Sequence, residues 1–334
     1  MQRTQAIVFA DVDAVHLQFI DMPDPDPDEV QIHTTYSTIS AGTEGWMLHG
    51  LFTWGTTPFP YVPGYQRVGV IESLGSNVKD WRVGERVVST ASVWSGAVPP
   101  FSGSHAARSN VHVNEVYHLP DGVDERDASG VVVAQVGYNA ASRLILEPNT
   151  RTSWVVVYGD GLIGQCAAQS ARVRGAKVIV VGHRPQRLEL ARRYSADEVV
   201  NAHSEDVVSR VREITGHETV VGILDTVQNE AAQRAYLPLL EHGRGQIVYS
   251  GFTPRTTWAD MALLQQQELT AHFVSGWSRE RIETTLAWMG NGNLYMQPLI
   301  THLVPYIHAP EMYRLIQDKT TPFLGIVLNW EGAY

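Results

Sequence analysis

The clearest chemistry in the sequence lies in one glycine-rich run, Gly159-Asp160-Gly161-Leu162-Ile163-Gly164. It closes an apolar strand, VVVY, and opens a helix, and a second apolar strand, KVIVV, follows within about 30 residues. In that setting Gly159 permits a tight turn, Gly161 lets the backbone approach a pyrophosphate, and Gly164 allows close helix–strand packing. Leu162 and Ile163 begin the helix, whose free N–H groups favour a phosphate charge. The spacing therefore predicts a dinucleotide site. Which dinucleotide depends on the end of the second strand, where an acid would bind the ribose 2′-hydroxyl of NAD(H). Gly182 stands there instead, followed by His183 and Arg184. Without the acid a 2′-phosphate meets no repulsion, and a guanidinium can bind it, so NADP(H) is expected, with NAD(H) as the alternative. Two later strands end in Asp225-Thr226-Val227 and Ser250-Gly251-Phe252. Ligands lie beyond the carboxyl ends of parallel strands, so Thr226, Ser250, Gly251 and Phe252 are expected to border the cofactor.

The elements that must hold this loop alternate between strand and helix from about Ala128 onward. Val131–Leu144 reads as a helix and TSWVVVYG as a buried strand. LIGQCAAQSARVRG reads as a helix closed by Gly175, followed by strand KVIVVG and helix PQRLELARRY. Then come strand VVGILDTV, helix EAAQRAYLPLLEHG and strand GQIVYSG. Continuous apolar strands linked through helices indicate a doubly wound parallel sheet covered on both faces. The chain before about Asp127 is β-rich, with runs at Ala6–Phe9, Val30–Thr35, Val68–Leu74, Arg86–Val88 and Ser109–Val113 broken by Pro and Gly. The segment DMPDPDPDEV reads as a turn between strands. Toward the end, helices are expected near Arg279–Met289 and Ala309–Asp318, then a strand GIVLNW.

The 334 residues exceed a single small core, so two domains are expected. A formal net charge of -10 lacks the basic stripe that nucleic-acid binding needs. The single cysteine, Cys166, excludes an intramolecular disulfide and any multi-cysteine metal site, and inside a helix it is expected to be packing. Asp11 and Asp13 interrupt the first apolar run, unlike a signal peptide, and no stretch reaches the roughly 18 apolar residues of a membrane span. The expectation is a soluble cytoplasmic enzyme with a small-molecule substrate.

Five stretches together resemble the medium-chain dehydrogenase/reductase superfamily: YSTISAGTEGWMLHG, VPGYQRVGVIESLGSNVKDWRVGERV, GSHAARSNVHVNEVYHLPDG, VVVYGDGLIGQCAAQSARVRGAKVIVVG and PLITHLVPYIHAPEMYRLI. The resemblance covers essentially the whole chain. It implies a GroES-like β-barrel catalytic domain (1–129), a Rossmann domain (130–275), a return to the first domain (276–334) and a cleft between them. Zinc-dependent members carry a cysteine where Ser40 stands, and Gly-His-Glu where Gly64-Tyr65-Gln66 stands; a third ligand would fall near Val133 or Ala134. Ser, Tyr and Gln do not make a tetrahedral zinc site, so no zinc is expected. SAGTE (Ser40–Glu44) and VPGYQRVG (Val62–Gly69) resemble a zinc-less branch, which includes bacteriochlorophyllide hydroxyethyl dehydrogenase and SAGTE-containing oxidoreductases of sugar pathways.

Without zinc, hydride transfer needs a protein donor on the substrate oxygen or a substrate that accepts hydride readily. The resemblance places Tyr65 as that donor, with Ser40 and Gln66 holding the substrate or fixing Tyr65. It puts Thr43 on a loop beside the nicotinamide ribose and makes Glu44 a structural salt-bridge partner. His49 is a proton-relay candidate, Tyr36, Trp46, Trp54 and Phe59 supply aromatic surface, and Gly137 and Tyr138 would approach the nicotinamide. A secondary alcohol/ketone pair is the leading substrate class; a quinone or enone reductase and a non-catalytic NADP-binding protein are the alternatives. A homodimer formed through Thr253–Val274 is expected from the family.

Overall fold

The computed structural model describes residues 2–52, 59–146, 153–252, 259–319 and 321–333. Trp54 and the first part of the expected dimer segment, 253–258, lie outside the described residues. The amino-terminal portion carries β1 (Gln2–Asp11), β2 (Ala14–Met22), β3 (Glu29–Ile39), α1 (Ala41–Leu48), β4 (Arg67–Leu74), β5 (Arg86–Ser89), β6 (Arg108–His112), β7 (Val116–His118) and α2 (Glu125–Ala128). The middle carries α3 (Val131–Ser142), β8 (Trp154–Tyr158), α4 (Leu162–Val173), β9 (Lys177–Gly182), α5 (Pro185–Tyr194), β10 (Glu198–Asn201) and α6 (Val207–Thr215). It continues with β11 (Gly222–Asp225), α7 (Glu230–Tyr236), β12 (Gln246–Tyr249), α8 (Met261–Gln266), β13 (Thr270–Phe273) and α9 (Arg279–Gly290). The end carries β14 (Ile300–Pro305), α10 (Ala309–Asp318) and β15 (Gly325–Asn329).

The chain divides into two compact units, Met1–Val132 with Ile300–Tyr334, and Val133–Leu299. The return to the first unit therefore comes at Ile300, later than the 276 read from sequence. The physical reason is that 276–299 is tied into the second unit. Gln135 Nε2 donates to the Gly276 carbonyl at 2.9 Å, Tyr138 meets Trp288 edge to face, and Gln169 makes two hydrogen bonds to the Tyr295 backbone.

In the second unit the sheet order is β10-β9-β8-β11-β12-β13, all parallel. Strand residues alternate between two cores. Val155, Val157, Val178, Val180, Leu224 and Val248 enter one, while Val156, Ile179, Val181, Ile223, Ile247 and Tyr249 enter the other. Burial on both faces is why these strands read as unbroken apolar runs. Each fully buried Val or Ile contributes about 1.5–3 kcal/mol over exposure.

The first unit has a β1–β2 antiparallel hairpin and a sheet of order β14-β15-β3-β4-β5-β7, with β6 on β3. Its carboxyl-terminal return is integral to that sheet, since β15 pairs antiparallel with β3 and Trp330 stacks on Tyr306. The acidic proline-spaced segment does link β2 to β3. Thr43 and Glu44 are not on a loop, as expected from sequence, but in the first two turns of α1. No helix among the described residues is long and apolar enough to cross a membrane.

Candidate functional site

The glycine loop of the second unit lies between β8 and α4. Gly159 has φ +122°, and a Cβ there would lie 2.1 Å from Thr226 Oγ1, so only glycine fits. A Cβ on Gly164 would lie 2.1 Å from the Gly159 carbonyl oxygen, which explains the close helix–strand approach. Around Gly161 the reverse holds: among the described residues nothing beyond its own chain neighbours lies within 4 Å of the Cβ position, and this residue caps α4 without any side-chain bond. A helix N-terminus open over a glycine is a cradle for a phosphate, and the loop fits a dinucleotide. Thr226 Oγ1 donates to the Tyr158 carbonyl, Ser250 donates through N–H and hydroxyl to the Asp225 carbonyl, and Gly251 lies against Thr226 and Gln228. These residues and Phe252 therefore follow neighbouring strand ends, as expected from sequence.

At the end of β9 the structure adds a residue that sequence reading passed over. Buried Asp160 accepts the His183 and Arg184 backbone N–H groups on Oδ2, both at 2.9 Å. Its Oδ1 lies 3.6 Å from Arg187 and 4.0 Å from Arg184. A Cβ on Gly182 would come within 2.5 Å of the Asp160 carboxylate, so this acid fills the room a side chain at 182 would need. Arg187, also missed, is held below the usual guanidinium range by burial and then by neighbouring Arg184.

In the first unit the Tyr65 hydroxyl donates to Ser40 Oγ, and Thr43 also hydrogen-bonds Tyr65. Burial pushes the phenol up to about 12, against the pull of those two hydrogen bonds, with the Glu44 charge adding to the rise. Tyr65 is therefore a protonated donor at neutral pH. Gln66, by contrast, is fully buried, and its amide donates to the Thr38 carbonyl. It braces β3 beside the Ser40–Tyr65 pair.

The other candidates make contacts of their own. His49 bonds Asp13 at the protein surface, with Gln317 on the same carboxylate oxygen. Gly137 serves helix packing, because a Cβ would lie 2.5 Å from the Ala167 nitrogen on α4, and Tyr138 packs on Trp288. Phe59 stacks on Tyr61, while Tyr36 and Trp46 are half-buried. Cys166 is buried with its sulfur 3.4 Å from that of Met296, as expected of packing.

Residues 26–121 match the alcohol dehydrogenase GroES-like domain family, and residues 163–291 match the zinc-binding dehydrogenase family. The chain belongs to the medium-chain dehydrogenase/reductase superfamily. An uncharacterized zinc-type alcohol dehydrogenase-like protein, YdjL of Escherichia coli K12, is 26% identical over 94% of this chain and 95% of its own. A putative zinc-binding dehydrogenase from Sinorhizobium meliloti, solved with NADP, superposes with a TM-score of 0.85 at 19% identity over 98% of this chain and 100% of that one. An alcohol dehydrogenase from E. coli CFT073 complexed with NADH gives 0.84 at 20% identity, over the same shares. The two solved structures establish a shared fold.

The superfamily's usual zinc does not fit the residues present here. Ser40 and Tyr65 bond each other, the Gln66 amide is engaged by Thr38, and Val133 and Ala134 offer no donor. Among the described residues no group of three or more His, Cys, Asp and Glu could hold a metal ion.

Proposed function

We propose that this medium-chain dehydrogenase/reductase is a zinc-independent, NADP(H)-dependent oxidoreductase that interconverts a secondary alcohol and a ketone. The observation that carries the proposal is the Tyr65–Ser40 hydrogen bond at the positions where zinc-dependent members keep metal ligands. The nicotinamide, when bound, supplies or accepts the hydride at the substrate carbon. Tyr65 holds the proton for the substrate oxygen. When its O–H turns to a ketone oxygen, the Ser40 hydroxyl can donate to the phenolic oxygen in return, which polarises the pair. On reduction the proton passes from Tyr65 to the developing alkoxide, a stronger base than the phenolate, and solvent restores it. Gly159, Gly161, Gly164 and the first turn of α4 would hold the pyrophosphate. Gly182, Arg184 and Arg187 favour a 2′-phosphate: two guanidiniums flank one carboxylate, leaving a net positive charge.

The test is to supply NADPH and NADH with panels of ketones and enones, using the chain and its Tyr65→Phe variant. Ketone turnover with NADPH, lowered about 10²–10⁴-fold in kcat/KM by Tyr65→Phe, is expected. Turnover confined to enones and indifferent to Tyr65 would overturn the reading. We also propose a cytoplasmic homodimer joined through the edge of β13, a strand that among the described residues pairs only with β12 and where Phe273 is 74% exposed. A monomeric mass by light scattering would refute the dimer.

A further inference from the structure

The first unit buries a polar chain that the proposed chemistry does not itself use: Trp330, Ser37, His105, Glu44 and Tyr313, all wholly or almost wholly excluded from solvent. Trp330 Nε1 donates to Ser37 Oγ at 2.8 Å, and Ser37 Oγ lies 2.8 Å from His105 Nδ1. His105 Nε2 lies 3.0 Å from Glu44 Oε2, which also accepts the Tyr313 hydroxyl at 2.5 Å. Glu44 Oε1 accepts the Ser40 backbone N–H at 2.8 Å.

Donor counting assigns the protons. An indole N–H can only donate, so Ser37 Oγ is an acceptor toward Trp330. The Ser37 hydroxyl proton must then find its own acceptor, and His105 Nδ1 is the atom in reach. A proton on Nδ1 would strand the serine hydroxyl without an acceptor in a dry site. It would also turn an Nε2 lone pair toward a carboxylate if Nε2 were bare. The ring proton therefore sits on Nε2 and is given to Glu44, whose carboxylate collects three donors.

The position of this imidazole gives the chain a role. Ser40 is the N-cap of α1, yet its hydroxyl makes no capping bond. Glu44, four residues on, instead reaches back to the Ser40 N–H, as the acid does in a capping box. That leaves the Ser40 hydroxyl to Tyr65. On its other side His105 sets the approach to Tyr65. Gly64, at φ +90°, packs so tightly on the ring that a Cβ would lie 2.6 Å from Cδ2. The His105 and Ser104 N–H groups donate to the Pro63 and Gly64 carbonyls at 3.1 and 2.8 Å. Both members of the Ser40–Tyr65 pair are thus referenced to one ring.

We propose that His105, fixed as the neutral Nε2–H tautomer between Ser37 and Glu44, and Glu44 itself are the positioning residues that align Ser40 and Tyr65 for proton donation. This rests on the functional reading of Tyr65, and the experiment separates the two. Nitrogen-15 NMR of the histidine-labelled full chain reads the tautomer directly, with His105 assigned by its loss in His105→Gln, or by the ring shifted in Ser37→Ala if that variant does not fold. The expected result is an Nε2–H ring near neutral pH that changes tautomer in Glu44→Gln, whose amide can donate to Nε2. With a ketone and NADPH, Glu44→Gln should lower kcat roughly 10–100-fold, the range seen when outer-shell partners of a reactive group are removed, with the KM for NADPH unchanged. In a Tyr65→Phe background the same substitution should cost kcat little, because it acts through Tyr65. An Nδ1–H or doubly protonated ring in the wild-type chain would overturn the proposal. Equal losses of kcat from Glu44→Gln with and without Tyr65 would do so too. A chain inactive on every ketone would sink the functional reading and leave the nitrogen spectrum to decide the tautomer.

Discussion

Restoring the missing acid at the end of β9, by Gly182→Asp, should damage this protein rather than convert it to NAD(H). The reason is geometric. The new Cβ would stand 2.5 Å from Asp160 Cβ and Oδ2, with a second carboxylate following it into the same room. Asp160 would have to move, and Oδ2 would lose the His183 and Arg184 N–H groups it accepts at 2.9 Å. Hydrogen bonds to a charged group are worth about 1.5–3 kcal/mol each, and partial replacement by water brings the expected loss to about 2–4 kcal/mol. At roughly 2–4 °C per kcal/mol the unfolding midpoint should fall by roughly 5–15 °C. Adding Asp160→Ala vacates the space, so the double variant should be more stable than the sum of the single losses predicts, and should bind NADH more tightly than either single variant. Thermal and urea unfolding of all four proteins, with calorimetric titration of NADPH and NADH, measures both effects. A Gly182→Asp chain that melts with the wild type and prefers NADH would show that Asp160 does not occupy that space.

Three further substitutions test neighbouring parts of the argument. Arg184→Gln should weaken NADPH about tenfold, the equivalent of about 1.4 kcal/mol, and leave NADH unaffected; equal losses for both would remove Arg184 from the 2′-phosphate. Gly164→Ala places a Cβ 2.1 Å from the Gly159 carbonyl oxygen, so nucleotide affinity should fall at least about tenfold in a folded protein, and unchanged affinity would mean the loop is not the site. Burial raises the pKa of Asp225 against the pull of the Gln228 and Val227 N–H groups and Tyr236. Its folded value therefore lies above the unfolded one, and its contribution to stability is complete below the unfolded value and lost as pH rises through the folded one. Asp225→Asn lacks that loss, so its midpoint should gain on the wild type as pH rises above the unfolded carboxylate value of about 4, and a gap constant with pH would contradict the assignment.

How far the sequence was legible followed burial. β8, β9, β11 and β12 are covered on both faces, and their valines and isoleucines read as strands directly. β13 and β10 are edge strands whose side chains are largely exposed or half-exposed, so neither carries an apolar run to be read. β2 escaped for a related reason: only Ile20 and Met22 are buried in it, and polar residues interrupt the rest. The glycine loop was legible because backbone geometry demands glycine at fixed offsets. Asp160 was not, although it sits inside the same motif, because a carboxylate's partners lie more than twenty residues ahead at His183 and Arg184. His105 and Tyr313 were invisible for the same reason, lying 61 and 269 residues from Glu44. The spacing Ser40 to Glu44 holds a signal, the backward-reaching acid of a helix start, but Gly42 and Gly45 in the same run favour a loop by pattern alone.

The two units solve a similar problem in the same way. In each, a buried carboxylate accepts backbone N–H from the segment it pins, two at Asp160 and one at Glu44 beside two side-chain donors, and that segment carries the side chain that chemistry needs. Asp160 pins residues 183–184 and sets Arg184; Glu44 pins Ser40 and leaves its hydroxyl to Tyr65. Backbone N–H donors fix direction as well as distance, because the peptide plane cannot turn without moving the chain. A lysine partner would supply more Coulomb attraction and less geometry. A bound metal would fix its ligands through coordination angles. Where the side chains do not fit a metal, the angular restraint has to come from the protein, and Glu44 is the group in the first unit whose bonds provide it. On that argument the conservative change Glu44→Asp, which keeps the charge but shortens the reach to Ser40, should impair turnover nearly as much as Glu44→Gln. Full activity in Glu44→Asp would mean that charge alone, and not the direction of the Ser40 N–H, is what the pair requires.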